Sequence, residues 1–291
     1  MNELPTTLPY RPGDVSWRVG REPTVGLASS AALLLQVCHP SVAAGVHQYS
    51  DFERQPWTRL WRTLDIVLKL AFGSPAVSAE QTRILRRMHE RVKGTRDDGA
   101  TYNALDPDLM LWVWATLAWG ALEAYELVFA RLTDVERERY YQEQKLLAHG
   151  SGVPEGHCPA TYAEFTGYFD RMVRDELHTT EVAKNVLRLG LRPPVFWPLR
   201  PMLGRVNGLT LGLLPNPIRD RLLAEAGHPW TPKNERALRR LIARNRFAVR
   251  IIPRRIRELP TAYLVSRKRP LKLFQRGARK YAPRPPQRLA S

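Results

Sequence analysis

Residues 81–94 read QTRILRRMHERVKG, and His89 stands in that run with Leu85 and Val92 at helical spacing and Ile84 and Met88 alongside. A helix needing only an apolar contact there would use leucine. An imidazole on an apolar face has three readings. It is a core histidine with both nitrogens hydrogen-bonded, a general base, or the axial ligand of a haem. The last asks for one imidazole on an apolar helical face with an apolar cavity in front. Burial favours the neutral ring, which is the ligating form. Spacing alone leaves the three open.

Arg59 and Thr63 lie four apart on the preceding helical segment and so share a face. An arginine there can pair with a propionate, and a threonine can donate a hydrogen bond to a bound ligand or hold a water. The competing reading makes Arg59 a solvated arginine and Thr63 a residue bonded to its own helix. The other histidines carry weaker signals. His39 and His47 stand eight apart across Pro40, where a metal pair competes with helix capping and an ordinary buried hydrogen bond. His157-Cys158 sits in a Gly/Pro loop, GVPEGHCP, and reads as structural. Trp112, Trp114 and Trp119 read as core. A di-iron carboxylate bundle needs two Glu-x-x-His units; the nearest approach among the seven histidines is Asp175-x-x-His178 alone. The motifs GxGxxG after a strand, GxxxxGK[ST], GxSxG and HExxH are all missing.

The elements that must hold these residues read as helices. Residues 1–22 look like an irregular arm. From Thr24 the run TVGLASSAALLLQVCHPSVAAGVHQYSDF is helical, rich in small residues and punctuated at His39-Pro40. WTRLWRTLDIVLKLAFGS is an amphipathic helix ended by Gly73, and residues 78–93 carry the helix of His89. The apolar run from Leu109 to Leu122 is interrupted by Glu123 and Glu126. It falls short of the roughly 20 residues a membrane span needs, so it reads as a buried central helix. Thr133 and Glu136 form a capping box for the next helix. One or two helices follow in residues 160–190. LRPPVFWPLRPMLG connects rather than packs, and further helices run to about Leu259. No convincing set of alternating strands occurs. The expectation is an all-α chain: a single domain of eight to ten helices over 23–265, between the N-terminal arm and a basic, flexible tail over 266–291.

Composition agrees. A chain of 291 residues, 44% hydrophobic and 25% charged, can bury a sizeable core. Two cysteines, Cys38 and Cys158, make neither a disulfide framework nor a thiolate zinc site, and point to a reducing cytoplasm. The first residues lack an apolar segment after a basic start, so no signal peptide is expected. The net charge of +17 is unevenly placed: from Pro229 to Ser291 there are 19 Lys/Arg against two acids, Glu235 and Glu258, which accounts for the whole excess. A neutral body with a basic end suits an anionic partner. NERALRRLIARNRFAVRIIPRRIREL forms an amphipathic helix, with Leu238, Leu241, Ile242, Val249 and Ile252 among its apolar positions. Its basic face suits peripheral contact with an anionic membrane. The plain alternative is that the apolar side packs on the domain and the arginines are solvated. Nucleic acid is disfavoured as a partner, because no recognisable binding module is present.

The order LLLQVCHPSVAAGVHQYSDF, RLWRT, RRMHERVKG, DPDLMLWVWATL and TDVERERYYQE resembles the MpaB-type oxygenase family, whose relatives include the rubber oxygenases, or latex clearing proteins. The resemblance runs from about Val15 to about Leu264. It implies a helical, globin-related domain holding haem b. In that family the proximal ligand is a histidine on the helix after an Arg-x-x-x-Thr motif; here the motif is Arg59 to Thr63, and the histidine maps onto His89. There are departures. Where rubber oxygenase can place a lysine as distal ligand this chain has Arg62, a poor ligand because it stays charged. The distal position is then open or water-bound. The glutamate proposed as catalytic base in that family has no clear counterpart, and His47 is the nearest stand-in. Many members have a histidine where this chain has Trp114.

The resemblance implies a haem-dependent oxidoreductase using dioxygen on a small hydrophobic substrate, with oxidative cleavage of an alkene as the family's chemistry. His89 would be the proximal iron ligand, Arg59 and Thr63 would shape the pocket, and the helices at 25–46 and 109–122 would wall it. The alternative is a non-catalytic haem-binding or membrane-associated helical protein.

Overall fold

The backbone begins its regular structure at a helix whose amides need an outside acceptor. In the computed structural model, which describes residues 10–50, 56–191 and 200–253, α1 spans Val15–Gly20. Its first amides, Val15 and Ser16, donate to the Glu143 carboxylate at 3.2 and 2.7 Å. That carboxylate satisfies groups that no intrahelical bond reaches. Val15 and Val19 are buried, so the stretch expected as an irregular arm is part of the packed domain from Val15 onward.

The centre is a helix pair. α2 spans Val25–Val37 and α6 spans Pro107–Val128. Asp106 caps α6 by accepting from the Asp108 and Leu109 amides, and Pro107 opens its first turn. The two helices meet through small residues, Ala28, Ala31 and Ala32 on α2 and Ala115, Ala118 and Ala124 on α6, all buried. A side chain at Gly120 would stand 3.3 Å from the Ala28 carbonyl, so glycine there sets how closely the backbones approach. Leu35, Leu122, Phe165 and Leu177 are fully buried around this pair, each contributing about 1.5–3 kcal/mol. The buried central helix expected at 109–122 is present, and Trp112 and Trp114 belong to its core.

Pro40 stops α2 and starts α3, Pro40–Tyr49, with a 103° bend between them. The carbonyls freed at the corner are met from outside: Val37 accepts from the Thr180 hydroxyl at 2.7 Å and Cys38 from the His178 amide at 2.9 Å. Next come α4, Pro56–Phe72, and α5, Pro75–His89. Then β1, Lys93–Thr95, pairs antiparallel with β2, Thr101–Asn103. α7, Asp134–Ser151, carries the expected Thr133–Glu136 capping box. α8, Tyr162–Arg171, runs into a π-turn over Met172–Glu176. α9, Glu181–Leu191, α10, Arg200–Leu213, α11, Asn216–Glu225, and α12, Pro232–Ile251, complete the domain. The protein is all-α, 73% helical.

Three expectations change. Twelve α-helices occur among the described residues rather than eight to ten. The small β-hairpin was not expected, because three-residue strands carry too little alternation to read. The stretch expected to connect, residues 191–204, ends α9 and opens α10 at Arg200. The tail over 266–291 lies outside the described residues. No single helix among them is long and apolar enough to cross a membrane.

Candidate functional site

α4 and α5 form a helical pair joined at Gly73-Ser74. Ser74 is the N-cap of α5 and accepts from the Val77 amide, and Pro75 takes the first helical position. The Ser78 hydroxyl donates to the Leu70 carbonyl at 3.1 Å, which locks the register of the two helices near the turn. Phe72 packs edge-on to Tyr10 and Trp17 at 5.5 and 5.2 Å and fastens this end to the body. Counted along the chain, Arg59 and His89 are equally many residues from Ser74.

His89 is the last residue of α5. The helix starts at Pro75, three residues before the expected start, and stops at His89, so Val92 falls beyond it. The inward stripe of α5 is Ser78, Gln81, Thr82, Leu85 and His89, of which the first three are buried. Ile84 faces outward, 37% exposed. His89 therefore does not sit on an apolar face, as its neighbours in sequence imply. It closes a stripe of small and polar residues.

The hairpin holds His89 in place. The Val92 amide donates to the His89 carbonyl at 2.9 Å. β1 then clasps α3: the Tyr49 hydroxyl donates to the Lys93 carbonyl at 2.7 Å, and the Gln48 amide to the Thr95 carbonyl at 3.0 Å. The Tyr102 hydroxyl donates to the Gln48 side chain at 2.7 Å. α3 and the end of α5 are thereby tied into one unit.

Two polar atoms on the inward stripe, Thr82 Oγ1 and His89 Nδ1, are buried without a hydrogen-bond partner among the described residues. Burial lowers the His89 pKa below its ordinary value, and no neighbouring carboxylate opposes that. The ring is neutral and carries one lone pair. With the proton on Nε2, that pair lies on Nδ1, inside the protein and without a donor. Among the described residues, the Nδ1 atom does not meet the reading of a core residue with both nitrogens bonded. A base or a metal ligand remains. Haem iron asks for one such neutral imidazole, which His89 supplies, but on a stripe of polar rather than apolar residues. No group of three or more His, Cys, Asp or Glu that could hold a metal ion by itself occurs among the described residues.

Thr63 is exposed on α4, and Arg59 lies on the first half of α4, where its side chain falls outside the description. His47 is exposed on α3, in its last turn beside the hairpin contacts of Gln48 and Tyr49. No hydrogen bond joins His47 to His89. His39 caps no amide, and its Nδ1 is also buried without a partner. Burial lowers its pKa, against a smaller opposing effect of Glu176. His157 pairs with Asp108 at 2.9 Å across a loop, a structural role. The helices expected to wall a cavity instead close on each other, α2 against α6. A cavity of about 560 Å³ does lie beside the hairpin, lined by Ser41, Lys93, Thr95, Asn103 and Asp106, but His89 is not part of it.

Ser78, Gln81 and Thr82 escaped the sequence reading. Ser74-Pro75 was their signal: starting the helix at Pro75 puts residues 78, 82, 85 and 89 on one stripe.

Residues 17–247 match the family described as ER-bound oxygenase mpaB/B'/Rubber oxygenase, catalytic domain, and the chain belongs to that family. The matched span takes in His47, Arg59, Thr63 and His89 and ends on α12. The chain is 30% identical over 241 residues to the uncharacterized protein Rv2237 of Mycobacterium tuberculosis and to the uncharacterized protein Mb2261 of Mycobacterium bovis; each alignment covers 79% of this chain and 90% of the relative. No solved structure matches it. The family's domain is an oxygenase catalytic domain, which makes the chain an enzyme of the oxidoreductase class.

Proposed function

We propose that this chain is a haem b-dependent oxygenase that uses dioxygen on a small hydrophobic substrate, with His89 as the residue that would hold the iron. The observation that carries the proposal is the His89 ring, kept neutral by burial and holding a buried nitrogen without a partner. A bare imidazole in that state is an unsatisfied polar group, and coordination satisfies it. When bound, haem supplies the redox centre at which dioxygen is activated.

This chain's residues divide the remaining work. His89, held at the end of α5 by the hairpin clasp, would hold the iron. Arg59 offers a guanidinium for a propionate, and Thr63 a hydroxyl at the same helix face. Arg62 stays charged and would be a poor ligand for the iron. His47 is the candidate base. The reducing cytoplasm is the proposed setting. Cys38 and Cys158 are both free and buried, and burial pushes their thiols up to about 12 and about 11.

The test is a haemin titration of the purified chain beside His89→Ala. A Soret band that saturates at one haem per chain, and is lost or shifted in the variant, is the expected result. A spectrum identical to free haemin in the folded wild-type protein overturns the proposal. Stoichiometric binding that His89→Ala leaves untouched removes His89 from it.

A further inference from the structure

We propose that the outward face of α12 is a docking surface for an anionic lipid bilayer. The inward face of the helix is already occupied. Leu238 is buried so close to α10 that a side chain at Gly212 would stand 2.5 Å from it. Leu241 lies against Gly208 one turn along. Near the other end, Arg246 Nε donates to the Leu127 carbonyl at the end of α6 at 2.9 Å, which fixes the last turns against the body. The helix is therefore a rigid part of the domain, with its opposite face turned outward.

That opposite face is ordered by charge and then by hydrophobicity. Lys233, Arg236, Arg240, Arg244, Phe247 and Ile251 recur at three- and four-residue spacing and make one exposed stripe. Glu235, the acid of this helix, points elsewhere and accepts from the Trp230 indole at 3.2 Å. Arg240 and Arg244 have no acidic partner among the described residues. Phe247 and Ile251 are each 64% exposed and stand one turn apart at the end of the stripe.

A solvated helix face has no use for a phenylalanine and an isoleucine together. An interfacial helix has: its apolar side chains enter the boundary between headgroups and acyl chains while arginines meet lipid phosphates. The chain continues the same sign of charge past Pro253. Residues 254–291 hold twelve Lys/Arg against Glu258 alone. Nucleic acid would use the arginines, but an aliphatic side chain beside a single aromatic is not a base-stacking platform. Each basic side chain at an anionic leaflet multiplies partitioning roughly fivefold. This inference stands apart from the haem proposal and would survive its failure.

The experiment uses the full chain with Ile251→Cys, labelled with an environment-sensitive fluorophore. Both native thiols are buried, so the new one is the accessible site. Vesicles of phosphatidylcholine, with and without phosphatidylglycerol, are added. The expected result is a blue shift and gain of emission with the anionic vesicles only. Arg240→Gln with Arg244→Gln, at unchanged circular dichroism, then lowers the partition coefficient roughly 25-fold. Three outcomes overturn the proposal: no flotation with either vesicle, flotation while the label stays in water, or a label that responds to an RNA oligonucleotide and not to vesicles. The second would assign binding to the tail, and the third would make the face a nucleic-acid surface.

Discussion

Thr82 and His89 stand about two turns apart on one stripe of α5, and each carries a buried polar atom without a hydrogen-bond partner. A buried donor or acceptor left unpaired costs about 1–3 kcal/mol. Two such atoms on one face, in a helix whose opposite face is well solvated, mark a place where the fold alone does not complete its own polar contacts. The Trp112 and Trp114 indoles in the core share this state, so it is the neutral imidazole beside Thr82 that sets the stripe apart. The stripe lies on the element that also carries the residue with a ligating ring, and on the side facing the body rather than water.

Protonation of His89 gives the first prediction. Burial lowers its pKa from 6.5, and that of His39 in the same direction. Above 6.5 both rings are neutral folded or unfolded, and their contribution to stability is fully present. As pH falls below 6.5 the unfolded chain takes up protons first, so stability is lost until the folded pKa values are reached. The urea midpoint of the haem-free protein is expected to fall over that range. His39→Gln with His89→Gln should flatten the slope. A slope unchanged in the double variant would mean that other groups control acid unfolding.

A second prediction concerns the body. Arg137 meets the Glu126 carboxylate through two parallel bonds at 3.0 and 2.9 Å, and the Leu132 amide donates to the same carboxylate at 3.0 Å. Glu126 is 8% exposed. Glu126→Ala leaves the Arg137 guanidinium with Asp134 alone and the Leu132 amide without this acceptor, and is expected to cost about 3 kcal/mol in urea unfolding. The loss should shrink when Arg137→Met is added, because the stranded charge goes with it. Additive losses would show that the two residues are not coupled.

How far the sequence reveals this protein differs from element to element. Long, capped helices are legible: Asp106-Pro107 and Thr133 with Glu136 announce α6 and α7 because their caps are local chemistry. The hairpin is not, since its stability comes from Gln48 and Tyr49 on α3, more than forty residues away. His89 was legible as a residue that needed explaining, but its surroundings were not. Sequence neighbours Ile84 and Met88 suggested an apolar face, whereas Ser78, Gln81 and Thr82 line the buried one. One missed cap, Ser74, shifted the start of the helix and with it the face.

Gly73 joins α4 to α5 and gives a third prediction. A Cβ there would stand 2.3 Å from the Lys69 carbonyl and 2.9 Å from Val77, too near for either to remain in place. The obstacle is backbone, which cannot rotate away. Gly73→Ala is expected to cost about 1–3 kcal/mol. It should also splay the two helices and weaken haem binding, although the residue is far along the chain from His89. Wild-type haem affinity in a destabilised variant would show that the α4–α5 angle does not matter to binding.

Thr82 separates a site from a packing fault. Its hydroxyl is buried without a partner, so Thr82→Val replaces a costly polar atom with a methyl of similar shape. In the haem-free protein the variant is expected to be more stable by about 1 kcal/mol, read as a higher urea midpoint at constant slope. His89→Leu should stabilise the haem-free fold in the same direction, while abolishing the ligated spectrum. Stability would then rise as function falls, the pattern expected where polar groups are held ready for a ligand. If both substitutions instead destabilise the haem-free protein by about 1 kcal/mol or more, the two atoms have partners in solution, and the α5 stripe is ordinary core.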